Sequence, residues 1–417
     1  MSNKRNTIYV LLILSLGFGL VGGRPLLFTL AYVLGGLLIV SFLWAWLGIS
    51  WIKIKRGTRA RRAQVGNRFE EFFEVKNNSI LPKLWLEVQD HSTLPGYQAS
   101  YVVPNLLPQA RHPWNTSIVC ALRGEYQLGP ITLASGDPFG LFRFPRHIGA
   151  TSKITVYPAV VPIHQFALPS GLLSGGDAQR RRAHFVTTNA AGVREYAPGD
   201  SFNRIHWRST ARKNRLLVKE FELDPLADVW VFLDLSAATQ VEKPGVRSYS
   251  LNIESSPTTP FLPDSTEEYS VVIAASISKF FLDKGRNLGL ITYGPHREII
   301  HADRSQRQMN QIMELLAVIS ASSDFDLEHM LSLNTEYLGR GTTLILITAD
   351  QNDGWIEQAH TLARRGIRIV AIILDPATFG GKQDSSAVQA RLATFHVPTY
   401  IVRAGDNLTA ILSNPIQ

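Results

Sequence analysis

The chain opens with two long apolar runs that carry no charge. The first covers residues 6–23 and the second residues 26–52, with Arg24 and Pro25 between them. A helix needs about 20 apolar residues to cross the hydrocarbon layer of a membrane, and neither run shows the polar face of a surface helix. The pattern therefore predicts two transmembrane helices that form a hairpin with a very short outer turn.

Basic residues flank the two runs and predict their orientation. Lys4 and Arg5 precede the first run, and six cations follow the second: Lys53, Lys55, Arg56, Arg59, Arg61 and Arg62. Because loops rich in Lys and Arg stay in the cytoplasm, residues 1–62 are expected to anchor the chain in the cytoplasmic (inner) membrane, with both ends and the soluble domains in the cytoplasm. A cleaved signal peptide is the alternative for the first run, although no A-x-A-like cleavage site follows it.

Short alternating segments replace the apolar runs between residues 63 and 160. Apolar and polar side chains alternate at 69–78, 84–90, 116–122 and 154–157, with Pro, Gly, Asn and Ser between the segments. Such alternation is typical of half-buried strands. Its recurrence without helical periodicity favours a small β-sandwich.

A tight turn is predicted inside this β-domain, at Asp137, Pro138, Phe139 and Gly140. Proline fixes φ and glycine permits a positive φ, so the sequence suits a turn. The apolar side chains of Phe139, Leu141 and Phe142 are expected to pack inward.

Buried strands alternate with amphipathic helices over residues 227–417. The strands are predicted at 227–234, 287–293, 342–348, 368–374 and 399–402, and the helices at 267–284, 306–320, 327–337, 354–365 and 387–394. This alternation implies a mainly parallel α/β sheet covered on both faces. Ligands of such sheets bind at the carboxyl ends of strands, where Asp234, Ser236 and Asp350 are expected to lie.

An Arg-rich motif lies in the connector predicted at 161–226. Its candidate residues are Arg194, Tyr196, Pro198, Gly199, Asp200, Arg204, His206, Trp207, Arg208, Arg212 and Lys219. Asp200 is expected to cap a short helix at 202–211, on which Arg204 and Arg208 share a face. Two interpretations stay open. The arginines lock the segment between the domains through salt bridges to Glu195, Glu220, Glu222 and Asp224, or they form a docking patch for acidic groups.

Charge and composition exclude several classes of function. The net charge is +8, but residues 1–62 hold nine Lys or Arg and no Asp or Glu, so the remainder carries 33 basic and 34 acidic groups. A nearly neutral soluble part argues against nucleic-acid binding. Neither a nucleophile elbow nor a phosphate loop is present, which argues against an enzyme. The single Cys120 suits a reducing compartment.

Several motifs resemble the bacterial family called domain of unknown function 58. They are Arg123-Gly-x-Tyr, Asp137-Pro-Phe-Gly-Leu-Phe, Arg194-Glu-Tyr-x-Pro-Gly-Asp, Arg204-x-Ile-His-Trp-Arg and Val218-Lys-Glu-Phe-Glu. The resemblance implies a membrane-tethered cytoplasmic protein with a von Willebrand factor type A-like domain at its C-terminal end. It also implies a partner, because members of this family are typically encoded beside MoxR-type AAA+ ATPases and are thought to assist them.

A magnesium site is a further implication of the von Willebrand similarity. Such domains hold Mg²⁺ with a D-x-S-x-S loop, a later Thr and a later Asp, and oxygen ligands suit this cation. Asp234, Ser236 and Asp350 match three of these positions, whereas Ala238 replaces the second serine. Alternatively, Asp234 and Ser236 serve only as a helix cap and a hydrogen-bonded loop.

These inferences give one main expectation and one alternative. We expect a membrane-anchored adaptor that works with a MoxR-type ATPase in the assembly or maturation of other proteins. The alternative is a Mg²⁺-dependent ligand-binding module that acts without an ATPase.

Overall fold

The computed structural model describes residues 2–166, 190–196, 205, 207–213, 215–221, 228–243 and 262–413. The chain forms two compact units. The first unit comprises Met1–Val161, Val241–Ser276 and Asn310–Ala321, and the second comprises Pro162–Gln240, Ile277–Met309 and Ser322–Gln417.

Two long helices open the first unit, α1 (Ser2–Gly22) and α2 (Pro25–Ile49). Pro25 starts α2 at a position where proline's fixed φ favours helix and its missing N–H costs nothing. The hydroxyl of Ser15 on α1 donates to the carbonyl of Leu27 at 2.6 Å. Lys4–Gly22 and Pro25–Ile49 are long and apolar enough to cross a membrane.

The second apolar run ends as a helix before residue 52. Trp51 has a positive φ of 57°, and the chain then enters a strand that begins at Ile52. The basic segment that follows the two apolar helices is therefore partly β-structure, which sequence analysis did not predict.

Ten strands follow α2 in the first unit. They are β1 (Ile52–Thr58), β2 (Arg62–Gln64), β3 (Arg68–Asn77), β4 (Lys83–Asp90), β5 (Tyr101–Leu106), β6 (Arg111–Val119), β7 (Gly124–Leu128), β8 (Ile131–Gly136), β9 (Arg143–Ile148) and β10 (Ser152–Tyr157). They form three sheets, ordered β1-β3-β6, β2-β10-β7 and β5-β4-β8-β9. All pairs are antiparallel except β2 with β10.

The sheets of the first unit share one apolar core. Phe73, Val75, Leu86, Val88 and Leu133 are fully buried in it. In β3, buried and accessible positions alternate along the strand, as the period-two pattern predicts. The chain after the two apolar helices is thus rich in β-structure as expected, and its arrangement as a β-sandwich stays a prediction.

The remaining elements begin with a small two-stranded sheet and a short helix, β11 (Ala190–Glu195), α3 (Trp207–Lys213) and β12 (Leu217–Phe221). The larger strands and helices then alternate. They are β13 (Val229–Leu233), α4 (Thr266–Asp283), β14 (Leu288–Tyr293), β15 (Arg297–Asp303), α5 (Gln306–Val318), α6 (Leu327–Leu333), β16 (Thr343–Thr348), α7 (Gly354–Arg364), β17 (Arg368–Leu374), α8 (Ser386–Thr394), β18 (Thr399–Val402) and α9 (Leu408–Ser413).

Six of these strands form the central sheet, in the order β15-β14-β13-β16-β17-β18. Its pairs are parallel except for the edge strand β15, which pairs antiparallel with β14. All residues of β13, β14 and β16 are buried, as strands covered on both faces require. The predicted mainly parallel sheet is confirmed, and β15 is a strand that sequence analysis missed.

Candidate functional sites

Asp234 follows β13 directly and its side chain is fully buried. Its Oδ1 accepts a hydrogen bond from the backbone N–H of Ser236 at 2.9 Å, and its Oδ2 accepts one from the hydroxyl of Thr348 at 2.6 Å. The hydroxyl of Thr239 lies 3.5 Å from the same Oδ2. Protein donors therefore reach both oxygens of this carboxylate.

Asp350 lies beside this loop because β16 is the neighbour of β13 in the sheet. Its carboxylate Oδ1 accepts from the backbone N–H of Asn352 at 2.9 Å, and its own N–H donates to the hydroxyl oxygen of Thr348 at 2.8 Å. Thr348 thus donates to Asp234 and accepts from Asp350. One buried hydroxyl joins the two acidic loops at the carboxyl edge of the sheet.

A third loop reaches the same edge through Ser323. Ser236 and Ser323 form an isolated parallel bridge, and the N–H of Ala237 donates to the carbonyl of Ser323 at 2.9 Å. Ser236 and Ser323 are 3% and 2% exposed. The structure therefore brings Asp234, Ser236 and Asp350 to one edge, as the strand positions predict.

The electrostatics of this edge are set by burial among acidic groups. Burial raises the pKa of Asp234 to about 6; hydrogen bonds from Thr348 and Ser236 oppose that rise, and the nearby charge of Asp350 adds to it. Burial also raises the pKa of Asp350, and the charges of Asp326 and Glu328 add to the effect. The protonated form of Asp234 is therefore much easier to reach than for an exposed carboxyl group.

These residues are poorly suited to bind a magnesium ion. Hydrogen bonds from the protein already satisfy the carboxylate of Asp234, and Ala238 supplies no side-chain oxygen where the metal-binding pattern has a serine. Within the described part of the chain, no group of three His, Cys, Asp or Glu is placed to hold a metal. The arrangement fits a hydrogen-bonded closure of the loops better than a metal centre.

Helix α3 carries Trp207, Arg208 and Arg212 of the Arg-rich motif, and none of its residues is buried. The side chain of Trp207 is 66% exposed. Arg208, Arg212 and Lys213 are exposed as well. Among the described residues the helix begins at Trp207, and the predicted start at 202 lies outside them.

Strands β11 and β12 flank this helix in the chain, and β12 is hydrogen-bonded to it. The N–H of Leu217 donates to the hydroxyl of Thr210 at 3.1 Å, and the N–H of Tyr196 donates to the carbonyl of Leu216 at 3.0 Å. In the register of the pair, Arg194 lies opposite Val218 and Lys219 lies opposite Val193. The motif therefore folds as a small sheet with a short, exposed helix.

Pro198, Gly199, Asp200, Arg204 and His206 lie outside the described residues. The side chains of Arg194 and Lys219, and those of the acidic partners of the predicted lock, lie outside them as well. The lock and the docking patch both stay predictions.

The predicted turn in the β-domain forms at Asp137–Gly140, and its carboxylate holds it. Asp137 accepts from the N–H of Phe139 at 2.9 Å through Oδ2 and from the N–H of Phe142 at 2.6 Å through Oδ1. Gly140 has a φ of +72°. Leu141 is buried as expected, but Phe139 is 56% exposed, so the expectation that Phe139 packs inward is wrong. Its ring projects from the turn because Asp137, not the ring, fixes the backbone.

Sequence analysis missed Thr348 and Ser323, which hold the acidic edge together. Thr348 stands two residues before Asp350 at the end of a buried strand, and Ser323 lies in the segment Ser322-Ser-Asp-Phe-Asp. A hydroxyl so close to a strand-end carboxylate was an available signal. Its contact with Asp234 depends on strand order, which the sequence does not display.

Residues 192–378 match the family model described as "Protein of unknown function DUF58". This segment, which is less than half of the chain, is similar to the DUF58 family. The matched segment runs from β11 through β17 and includes α3, Asp234 and Asp350. The DUF58 match thus covers the Arg-rich motif and the acidic edge of the sheet.

One relative is the uncharacterized protein YeaD of Bacillus subtilis (strain 168). It is 24% identical over 200 residues, which are 47% of this chain and 43% of the relative. The chain therefore spans less than half the length of this curated relative.

Matches to solved structures are weak. The CARDB domain of the PF1109 protein from Pyrococcus furiosus aligns with 25% of this chain and 91% of its own, at 14% identity and a TM-score of 0.20. The alkylpurine DNA glycosylase AlkC of Pseudomonas fluorescens aligns with 33% of this chain and 41% of its own, at 12% identity and a TM-score of 0.18. Such scores carry no argument about function.

Proposed function

We propose that this protein is a membrane-tethered adaptor that docks a MoxR-type AAA+ ATPase in the cytoplasm and assists the assembly or maturation of other proteins. The ATPase is the partner that the family resemblance implies. The observation that carries the docking part of the proposal is the exposed surface of α3, which we call the α3 patch: Trp207, Arg208, Arg212 and Lys213.

The α3 patch combines the side chains that dominate binding energy at protein interfaces. Trp and Arg are enriched among interface residues that cost 2 kcal/mol or more when truncated. Trp207 leaves about two thirds of its surface in water, and Arg208 and Arg212 lie one turn apart beside it. Guanidinium groups on one helix suit carboxylates of a partner, because they bind such groups bidentately.

The membrane tether is supported by contacts at both ends of the apolar helices. Gly19 on α1 lies against Leu27 and Phe28 at the start of α2. The guanidinium of Arg5 lies 5.7 Å from the ring centre of Phe142, in the β-domain that follows α2. We infer an antiparallel transmembrane hairpin whose two ends lie on one side of the membrane, and the Lys and Arg residues there favour the cytoplasmic side.

The sheet of the second unit supports the implied von Willebrand factor type A-like fold. Its first strand, β13, lies between β14 and β16, and one antiparallel strand closes an edge. We propose that this fold presents the α3 patch. For the alternative, a Mg²⁺-dependent module, the carboxylate of Asp234 would have to exchange protein donors for a cation.

Co-purification tests the docking proposal. The full chain, solubilised in detergent, is used to capture a purified MoxR-type ATPase. We expect R208E/R212E to lower recovery at least about 10-fold and W207A to lower it by a similar factor, the size typical of central interface residues.

The matched control is R304E/R307E, which reverses two other exposed arginines of the second unit. It should leave recovery unchanged. Equal recovery with R208E/R212E and with the unaltered chain, in folded protein, would refute docking through the α3 patch.

A further inference from the structure

We propose that the β-domain of the first unit rests directly on the membrane and that Phe139 inserts its ring at the boundary between lipid headgroups and hydrocarbon. The inference rests on the proposed membrane tether, but it is independent of the α3 patch. It assigns a role to Phe139, a large apolar residue of the Asp137–Phe142 turn that the fold leaves outside its core.

The last turns of α2 have two different faces. Ser41, Ala45 and Gly48 are buried, and Gly48 lies against the side chain of Ser135 on β8. On the other side, Phe42 and Trp46 are 45% and 53% exposed. The helix is therefore in contact with the β-domain while it still presents apolar surface outward.

The length of α2 places these turns at the membrane boundary. Its 25 residues extend about 37 Å at 1.5 Å per residue, whereas the hydrocarbon layer is about 30 Å thick. Roughly 20 residues cross that layer, so a span beginning at Pro25 ends near Trp44. Phe42 then lies just inside the hydrocarbon edge, and Trp46 lies in the headgroup region, where indoles are favoured.

The Asp137–Phe142 turn lies beside this boundary. The ring of Phe142 packs edge-on against Phe42 at 5.6 Å between centres. The guanidinium of Arg5, at the start of α1, lies over the same ring. A turn in contact with both Phe42 and Arg5 is at the depth where α1 and α2 meet the membrane surface.

Phe139 is free to enter lipid because the turn does not need its ring. Asp137 holds the turn through two backbone N–H groups, and Phe139 remains 56% exposed. Phenylalanine on the apolar side of an interfacial segment is favoured at the boundary between headgroups and acyl chains. The contiguous apolar surface of α2 makes lipid, and not a second protein, the occupant of this surface.

Two further loops expose apolar side chains at the end of the β-domain where α2 terminates. Ile80 and Leu107 are 87% and 56% exposed. Both of their loops are held by Asn77, whose Nδ2 donates to the carbonyls of Leu81 and Leu107 at 2.9 and 3.1 Å. The N–H of Asn78 donates to the carbonyl of Trp51, two residues after α2 ends. Ile80 is therefore a second candidate contact with lipid.

A fluorescent label at position 139 tests the inference in the full chain. Cys120 is the only cysteine; it is buried, and burial raises its pKa to about 11, so its thiol resists labelling. F139C is labelled with an environment-sensitive dye and reconstituted into phosphatidylcholine vesicles that contain a lipid with a nitroxide near its headgroup. We expect a blue-shifted emission and several-fold stronger quenching than at K153C, an exposed site in β10.

The labelled variant I80C should be quenched like F139C. This second site shows whether the quenching is caused by the position of the β-domain at the membrane or by a local effect of the F139C substitution. Equal quenching of F139C and K153C would overturn the inference. Flotation of the vesicles separates the two levels of failure. Protein that floats with unquenched labels keeps the tether and refutes the insertion of Phe139, whereas protein that does not float refutes both. Docking of the ATPase is measured in a separate experiment, and its result tests neither the membrane tether nor the insertion of Phe139.

Discussion

Each unit contains a pair of buried acidic side chains, and different groups accompany the two pairs. In the first unit, Glu71 and Asp90 pair with Arg56. In the second unit, Asp234 and Asp350 lie near one another, and the charges that shift their pKa values most are acidic. The contrast shows two physical solutions to the cost of removing a carboxylate from water.

The first solution is a charge network built on Arg56. Its guanidinium donates to both oxygens of Glu71, at 2.9 and 2.6 Å, and to Asp90 at 3.1 Å. The hydroxyls of Thr58 and Tyr97 also donate to Glu71. Burial lowers the pKa of Arg56, but the hydrogen bond and charge of Glu71 outweigh it, so its pKa is raised. The guanidinium therefore gives both buried carboxylates a partner of opposite charge.

The second solution uses hydroxyls and backbone N–H groups and leaves the charge of Asp234 uncompensated. Thr348 and Ser236 supply its hydrogen bonds. Neutral donors stabilise a carboxylate less than a guanidinium does, so burial prevails and the pKa rises. The stability of the acidic edge of the sheet is consequently expected to depend on pH through Asp234.

The largest effect is expected from removing the cation. R56M leaves Glu71 and Asp90 buried without the cation that pairs with them, and breaking a buried ion pair in this way costs about 3–5 kcal/mol. We expect this loss in the free energy of unfolding, measured by urea denaturation of the detergent-solubilised chain.

The matched control is R59M, three residues further along. Arg59 pairs with Glu70 at 3.2 Å, but its side chain is 88% exposed, and an exposed pair contributes about 0–1 kcal/mol. Similar losses for R56M and R59M would contradict the assignment of Arg56 to a buried network.

A smaller effect is expected from pH. The pKa of Asp234 is about 6 in the folded protein, against 3.8 for the ordinary group. Because the folded value is the higher one, the contribution of Asp234 stabilises the fold fully below pH 3.8 and is lost as pH rises through 6. The loss is on the order of 3 kcal/mol by pH 7. We expect D234N to abolish this part of the pH dependence.

The measurement is the free energy of unfolding of the unaltered chain and of D234N between pH 4 and pH 7, compared as a difference at each pH. The slope is the readout, since D234N also alters hydrogen bonds. A difference that does not vary with pH would show that Asp234 does not titrate in this range.

The smallest effect is expected from magnesium. Protein donors already form hydrogen bonds with the carboxylate of Asp234, so Mg²⁺ would gain little binding free energy there. Millimolar Mg²⁺ should therefore not change the midpoint of thermal unfolding. A site filled at 100 times its dissociation constant would add about 2.7 kcal/mol and raise the midpoint by about 2–4 °C or more. A rise of that size, absent in D234N, would favour the Mg²⁺-dependent alternative.

Much of the fold was predictable because it depends on local periodicity. The apolar run that became α2 and the apolar strands β13, β16 and β17 needed no partner to be recognised. Edge strands were harder to predict from the sequence. In β15, exposed and half-buried residues predominate, so its pattern lacks the apolar run that identified the central strands.

The candidate sites were predictable in part, for a different reason. Asp234 and Asp350 end apolar strands, and parallel strands end at one edge, so their proximity followed from the fold class. The exposure of Trp207 and Phe139 could not be predicted from the sequence, because aromatic residues occur both in protein cores and at protein surfaces. Only the contacts around α3 and the Asp137–Phe142 turn decided it.

Arg56 illustrates the difference between what the sequence determines and what the tertiary structure determines. By itself, the sequence determined two apolar spans, a basic flank, a β-rich segment and an α/β segment, since each depends on residues close together in the chain. It presented Arg56 as one of six flanking cations. Tertiary structure decided that Arg56 faces Glu71 and Asp90, because strand pairing brings together residues 15 and 34 positions apart. Whether a charge is solvated or buried depends on such distant partners.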